Sequence, residues 1–112
     1  MGDYKLKFWQ SQNGERPVRD WVVSLEHEQK KKVDRLFKLL EEFGPALRMP
    51  NGKSLGGGLY EARDDSKGPG FRVYYQRIGA LILVLLVGGD KSTQDRDIKT
   101  ARLRMLNLER EK

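Results

Sequence analysis

The chain has 112 residues, the size of one ordinary domain, and we expect residues 1–112 to form a single folding unit. It carries 22 lysines and arginines against 16 aspartates and glutamates, and the resulting charge of +6 favours a polyanionic partner such as RNA or DNA. With no cysteine and one histidine, the composition excludes disulfides, thiolate nucleophiles and cysteine-ligated metals, and it disfavours a structural zinc site.

The sequence favours a cytoplasmic location. The first nine residues, MGDYKLKFW, contain an acid and lack the apolar segment of a signal peptide. The aliphatic run at residues 81–87 is too short to span a bilayer, so we expect no membrane partner.

The first half of the chain predicts one strand and two helices. Apolar residues that alternate with lysines indicate a half-buried strand over residues 4–9, and residues 11–15 are typical of a loop. Pro17 opens a short helix with an apolar stripe, and a longer helix is predicted from about Glu28 to Phe43. The apolar stripe of the longer helix is Val33, Leu36, Phe37, Leu40 and Phe43.

The second half predicts three strands and a final helix. The glycine-rich residues 52–58 indicate a loop. The strands are predicted over residues 59–63, 71–77 and 80–87. The last helix begins near Thr93, where Ser92 and Asp95 fit a capping box. The basic residues expected on its solvated face are Lys99, Arg102 and Arg104.

These elements follow in the order β-α-α-β-β-β-α, which indicates an α+β domain with a mainly antiparallel sheet. Two N-terminal helices form a helical hairpin on the sheet, and a C-terminal helix completes the fold. The strand at residues 80–87 is apolar on both faces, so it should lie in the centre of the sheet.

The junction between the last strand and the last helix is the most informative segment. The aliphatic run ends at Gly88-Gly89, and Asp90, Lys91, Ser92 and Thr93 lead into the helical pattern. A buried strand therefore delivers a cation and two hydroxyls to a helix N-terminus, which favours an anion. The glycine spacing does not match a nucleotide-binding P-loop, so we expect a nucleic-acid phosphate.

The usual catalytic combinations are missing from the sequence. His27 is the single histidine, at the junction of the first two helices, which excludes a histidine pair and indicates a solvated position. Asp64 and Asp65 lie in a turn-rich segment without the further carboxylates of a two-metal site.

Cations and one acid offer a different chemistry. If the strands are neighbours, Arg63, Arg72 and Lys91 converge on one exposed face beside the last helix. Such a cluster would hold a phosphodiester and stabilise the extra charge of a pentacoordinate transition state. The base for a ribose 2′-hydroxyl would be Glu61, a tyrosine or a lysine of lowered pKa.

A structural interpretation of the same residues stays open. Glu61 and Arg63 would then be a surface ion pair that contributes little to stability. Arg72 would pair with an acid across the sheet, and the glycines at 56–58 would form a flexible turn.

Three strings of the sequence resemble a known family. They are KSLGGGLYEAR (53–63), GPGFRVYYQR (68–77) and LLVGGDKSTQDRDIKTAR (85–102). Together with PVRDWVVSL (17–25), they are similar to the phage-derived addiction-module killer proteins, which are HigB-like toxins of the RelE/ParE superfamily. The resemblance implies a RelE-like fold and a toxin that is paired with a helix-turn-helix antitoxin.

The activity implied by the resemblance is endoribonuclease cleavage of mRNA, in many relatives on the ribosome, which inhibits translation. No metal or other cofactor takes part. The 2′-hydroxyl attacks the adjacent phosphate and leaves a 2′,3′-cyclic phosphate and a 5′-hydroxyl.

The resemblance also implies roles for individual residues. Arg72 matches the strand arginine that contacts the scissile phosphate, and Lys91 matches the basic position after the last strand. RelE itself uses a tyrosine near its C-terminus, and this chain has no tyrosine after Tyr75, so the base is left among Glu61, Tyr74 and Lys91. The candidate catalytic residues are Arg72, Lys91, Glu61, Arg63 and Tyr74, and the candidate RNA-binding residues are Lys53, Arg96, Ser92 and Thr93.

Two other functions remain open at the level of sequence. A ParE-like toxin shares the fold and inhibits DNA gyrase without needing the Arg72 and Lys91 cluster. A catalytically inactive domain would only bind the antitoxin or a nucleic acid.

Overall fold

A computed structural model describes residues 2–110, with side chains as far as residue 108. This part of the chain has an α+β fold with a mixed five-stranded sheet and three α-helices, which confirms the predicted fold class. None of its helices is both long and apolar enough to cross a membrane. The elements are β1 (Lys5–Phe8), α1 (Pro17–Ser24), α2 (His27–Phe43), β2 (Gly52–Gly56), β3 (Leu59–Arg63), β4 (Arg72–Ile78), β5 (Ile82–Gly89) and α3 (Gln94–Arg110).

The strands lie side by side in the order β1-β5-β4-β3-β2. β1 runs parallel to β5, and the other three neighbouring pairs are antiparallel, which confirms the mainly antiparallel sheet. β5 lies inside the sheet, between β1 and β4, as its apolar composition on both faces predicts.

The helices cover both faces of the sheet. α1 and α2 pack on one face in an apolar cluster, and α3 packs on the other face in a second cluster. Buried members of the first cluster are Val18, Leu36, Leu40, Val73, Tyr75 and Leu85. Buried members of the second are Leu59, Tyr74, Leu86, Ala101 and Met105.

The prediction of a loop over residues 52–58 is wrong, because Gly52–Gly56 form β2. β2 pairs with β3, and the hydrogen bonds of this pairing outweigh the low strand propensity of glycine. The turn itself is limited to Gly57 and Gly58, whose φ angles of 64° and 88° suit glycine. The element order is therefore β-α-α-β-β-β-β-α and not the predicted β-α-α-β-β-β-α.

Two side chains differ from their predicted exposure. Phe43, the last residue of α2, is 44% exposed and lies outside the apolar cluster. Arg104 is half-buried, since its Nη1 donates to the Leu86 carbonyl at 2.6 Å and its guanidinium lies 4.6 Å from the ring centroid of Trp9. Arg104 therefore connects α3 to the sheet and is not a solvated cation.

Two glycines at the end of β5 allow helices to approach the sheet from opposite faces. A Cβ on Gly88 would overlap the indole ring of Trp21 in α1, and a Cβ on Gly89 would overlap the carboxylate of Asp97 in α3. Successive strand residues face opposite sides, so each glycine makes room for one helix. The glycine pair thus has a packing role that its sequence interpretation did not include.

Gly88→Ala is expected to destabilise the fold by about 2 kcal/mol or more, because adding a methyl group to a filled core typically costs about 1–3 kcal/mol. Urea denaturation measures this free energy of unfolding. In a Trp21→Ala background, which opens the space above the strand, the same Gly88→Ala change should cost clearly less. Equal costs in the two backgrounds would contradict the packing explanation.

Candidate functional site

The strand register brings three predicted cations to one end of the sheet. Arg63 on β3 pairs with Arg72 on β4, and Arg72 pairs with Gly89 on β5, two residues before Lys91. Residues that pair across antiparallel strands point to the same face, which here is the face covered by α3. The predicted neighbourhood of Arg63, Arg72 and Lys91 is therefore present.

A second row lies next to the first on the same face. Glu61 on β3 pairs with Lys53 on β2 and with Tyr74 on β4. Lys53, at the outer end of this row, is exposed, whereas Glu61 and Tyr74 are fully buried. The interior of the site is thus closed to solvent, and the expectation of one exposed face is wrong because the first turn of α3 lies over it.

A buried carboxylate lies at the centre of the site. Glu61 Oε1 is 3.3 Å from Arg72 Nε, and Glu61 Oε2 is 4.0 Å from Arg63 Nε. The Arg72 side chain is only 8% exposed, and its Nη1 donates to the Gly70 carbonyl at 3.1 Å. The ion pair across the sheet is therefore confirmed for Arg72, and the surface pair considered for Glu61 and Arg63 is wrong.

Several polar atoms in and beside this ion pair make no hydrogen bond. Arg72 Nε is close enough to Glu61 Oε1 for attraction but is not aligned for a hydrogen bond. Glu61 Oε2 and the Tyr74 hydroxyl also have no hydrogen-bond partner in the part of the chain that the structure describes. Buried polar atoms of this kind are costly in ordinary cores and are concentrated here at one place.

Sequence reasoning missed one residue of this cluster. Gln94, the first residue of α3, donates from Nε2 to Glu61 Oε1 at 3.1 Å. The two residues are 33 positions apart, and no local pattern connects them. The one feature of the sequence that could have pointed to Gln94 is its position directly after Thr93 in the strand-to-helix junction.

Tyr74 cannot act as a base in this environment. Burial, followed by the negative charge of Glu61, raises the pKa of its hydroxyl well above the usual range. Tyr74 is therefore protonated at neutral pH. Of the three candidate bases, Tyr74 and Glu61 are enclosed, and Lys91 is exposed to solvent.

The short 3-10 turn Lys91–Thr93, which leads into α3, already holds a carboxylate of its own chain. Asp90 Oδ1 accepts hydrogen bonds from the Ser92 backbone at 2.8 Å and from the Ser92 hydroxyl at 2.6 Å. The capping box is formed by Asp90 and Thr93, so the predicted box of Ser92 and Asp95 is wrong. An aspartate ahead of the turn reaches these N–H groups more directly than a serine inside it.

These contacts limit what Ser92 and Thr93 offer to a ligand. The Ser92 hydroxyl is bonded to Asp90, and the Thr93 hydroxyl is bonded to Asp97. The same Ser92 hydrogen bonds hold the pKa of the Asp90 carboxyl below its usual value. Both hydroxyls are therefore engaged by carboxylates of the chain, whereas Lys91 and Arg96 are exposed cations.

Lys91 and Arg96 supply the exposed charge. They line, with the residues between them, a surface depression of about 350 Å³. A Cβ on Gly70 would lie 3.3 Å from Lys91 Cβ and 3.5 Å from Arg72 Nη1, so both cations flank this glycine. Arg96, whose side chain is 77% exposed, lies outside the buried cluster. The arrangement combines a buried, oriented arginine with exposed cations, which suits a phosphodiester.

The other candidate groups have local roles. His27 is exposed at the start of α2, as its predicted solvated position requires. Asp64 accepts from the Ser66 hydroxyl at 2.6 Å, which is turn chemistry. Among the described residues, no cluster of three His, Cys, Asp or Glu side chains is placed to hold a metal ion.

Two comparisons with known proteins return a match. The family model of the phage-derived Gp49-like proteins (DUF891) matches residues 20–106. An uncharacterized protein of Haemophilus influenzae is 51% identical over 51 residues, which are 46% of this chain and 50% of that protein. The matched segment of the chain thus spans half the length of that relative.

Glu61→Gln is expected to destabilise the protein by about 3–5 kcal/mol, because it leaves a buried arginine without its counter-ion. The free energy of unfolding in urea measures the loss. Glu15→Gln, the same change in an exposed loop, is the matched control and should stay within about 0.5 kcal/mol of the wild type. Similar small effects of both variants would contradict the role assigned to the ion pair.

The Asp90 cap predicts a pH dependence. A carboxyl whose pKa is lowered by folding stabilises the fold above its ordinary pKa of 3.8, and this contribution is lost as the pH falls through the lowered value. Asp90→Asn should therefore be less stable than the wild type at neutral pH, and the difference should shrink in acid. Urea titrations across this range measure it. Ser92→Ala should show the same trend, and a pH-independent difference would contradict the prediction.

Proposed function

Because this chain belongs to the phage-derived Gp49-like protein family, we propose that it is the toxin of a toxin–antitoxin pair, of HigB-like type, and that it cleaves mRNA. The observation that carries the proposal is the oriented arginine: Arg72 is held by the buried Glu61 beside the exposed Lys91. Family membership alone supports a toxin in general, and this cluster supports the nuclease.

The reaction needs little beyond charge and position. A phosphodiester that lies between Lys91 and the Arg72 guanidinium would gain stabilisation of the negative charge that develops when the 2′-oxygen attacks phosphorus. The 2′-hydroxyl loses its proton to water as its oxygen bonds to phosphorus, and the 5′-oxygen takes up a proton as its bond to phosphorus breaks. The products are a 2′,3′-cyclic phosphate and a 5′-hydroxyl. Of the three candidate bases, Lys91 is the one that an RNA can reach in this conformation, and its ammonium group donates but does not accept a proton, so Lys91 acts here as the cation.

The proposed partners follow from the charge of the chain. A protein with a charge of +6 attracts the phosphates of mRNA and of the ribosome, and such backbone contacts weaken steeply with salt. The exposed side of α2, which covers the other face of the sheet from α3, also carries Lys31, Arg35 and Lys38. A helix-turn-helix antitoxin with an acidic segment would compete for the same charges.

One observation favours a second candidate function, one in which Arg72 does not contact RNA. Arg72 is only 6% exposed, so an RNA phosphate can reach it only if part of the structure above it, where the first turn of α3 lies, moves aside. A ParE-like toxin that inhibits DNA gyrase would not need this access. A catalytically inactive binding domain would not need it either.

Lys91→Ala tests the nuclease with little risk to folding, because the side chain is exposed. Expression of the wild type without antitoxin should stop growth and cut messages within coding regions, and Lys91→Ala should lower cleavage by about 100-fold, the effect of losing one charge-stabilising donor. Mapping of RNA 5′-ends measures the cleavage. Lys99→Ala, an exposed lysine on α3, should cleave like the wild type.

Each candidate function predicts a different outcome of this experiment. Intact messages in growth-arrested cells would overturn the nuclease, and a simultaneous loss of DNA supercoiling would favour gyrase as the target. Unchanged growth after strong expression would favour the inactive binding domain.

A further inference from the structure

We propose that Gln94 is a positioning residue for the reaction. Its side-chain amide holds Glu61, and through Glu61 it orients the Arg72 guanidinium beside the first turn of α3. The inference rests on the proposed nuclease function and adds to it a residue that does not itself touch the reacting atoms.

The geometry places Gln94 between two elements that carry the site. Gln94 Nε2 and Arg72 Nε approach the same oxygen, Glu61 Oε1, at 3.1 Å and 3.3 Å. Gln94 begins α3, three residues after Lys91, whereas Arg72 lies on β4 and Glu61 on β3. The three side chains therefore join the start of α3 to both strands.

The shared oxygen explains why this contact affects orientation. Gln94 makes an aligned hydrogen bond to Oε1, and Arg72 Nε does not. The amide therefore fixes the position of Oε1, and the guanidinium is held beside it by charge attraction and by the hydrogen bond from Arg72 Nη1 to the Gly70 carbonyl. Without the amide, the Glu61 carboxylate is free to rotate, and the guanidinium that it attracts shifts with it.

The chemistry requires a donor at position 94. A glutamine amide donates at every pH, whereas a carboxyl group of the same shape donates only while it is protonated. The charged and titratable groups around this position are Glu61 and Arg63 from β3, Arg72 and Tyr74 from β4, Lys53 from β2, and Lys91, Asp95 and Asp97 from the helix end.

A carboxyl at position 94 would share one proton with Glu61. Two carboxyl groups at hydrogen-bond distance cannot both ionise readily, so the pair in the variant holds one proton to a higher pH than a single carboxyl between the same arginines would. In Gln94→Glu the contact therefore forms at low pH and is lost as the pH rises through this raised value. A glutamine that only fills space would produce no such pH dependence.

The experiment compares the purified full-length wild type with Gln94→Ala, Gln94→Glu and the control Gln12→Glu, which changes an exposed loop glutamine. Cleavage of an mRNA on translating ribosomes and the melting temperature are both measured from about pH 5.5 to about pH 8.5, a range that brackets a raised carboxyl pKa. Gln94→Ala should lower kcat by about 10-fold to 100-fold at every pH, as expected from a misplaced catalytic group.

Gln94→Glu should approach wild-type cleavage at the acid end and fall to the level of Gln94→Ala at the alkaline end, and its melting temperature should decline in parallel. Gln12→Glu should follow the wild type in both measurements. Wild-type cleavage by Gln94→Ala, or a Gln94→Glu profile that follows Gln12→Glu, would overturn the positioning role.

The two proposals fail in different ways. If the wild type cleaves no RNA, the nuclease function is wrong and the positioning role falls with it, while the melting temperatures still report whether the Gln94 contact with Glu61 exists. If the wild type cleaves RNA and the Gln94 variants match it, only the positioning role is wrong.

Discussion

The carboxylate of Glu61 is the constraint on which the candidate site depends. A fully buried negative charge needs partners inside the protein: here two arginines of the same sheet face supply positive charge, and the Gln94 amide of α3 supplies a hydrogen bond. Each partner is thereby fixed relative to the others. β3, β4 and the start of α3 cannot shift independently without leaving a charge unpaired, so the electrostatics of the site also determine its geometry.

The end of β5 makes this arrangement possible. Gly89 has no side chain, which lets Asp97 approach the strand and brings the first turn of α3 down onto Glu61. Gly88 does the same for Trp21 on the opposite face. The two glycines, which have no Cβ atoms, thus set the distance between helix and sheet on both faces. Lys91, two residues after Gly89, lies at the edge of the site.

The elements that the sequence predicted well are those with a local physical signature. The apolar periodicity of α2 and the doubly apolar β5 report burial on one or both faces, and both are present. β2 was missed because glycine-rich Gly52–Gly56 has little strand propensity and becomes a strand by pairing with β3. The cap was misassigned because the chain makes a short 3-10 turn over Lys91–Thr93 before α3 begins. Asp90 and Ser92 are both good capping residues, and Asp90 is the one that precedes this turn and reaches its free N–H groups.

The sequence by itself determined the composition of the site: a basic chain without cysteine, an arginine-bearing strand, and a lysine between a buried strand and a helix. Only the tertiary structure decided that Arg72 is buried against Glu61, that Gln94 completes the pair, and that Lys91 and Arg96 are left exposed. The reason is physical. Residue type and periodicity record what each segment can do locally, whereas burial and charge pairing between residues 33 positions apart follow from strand register and helix placement.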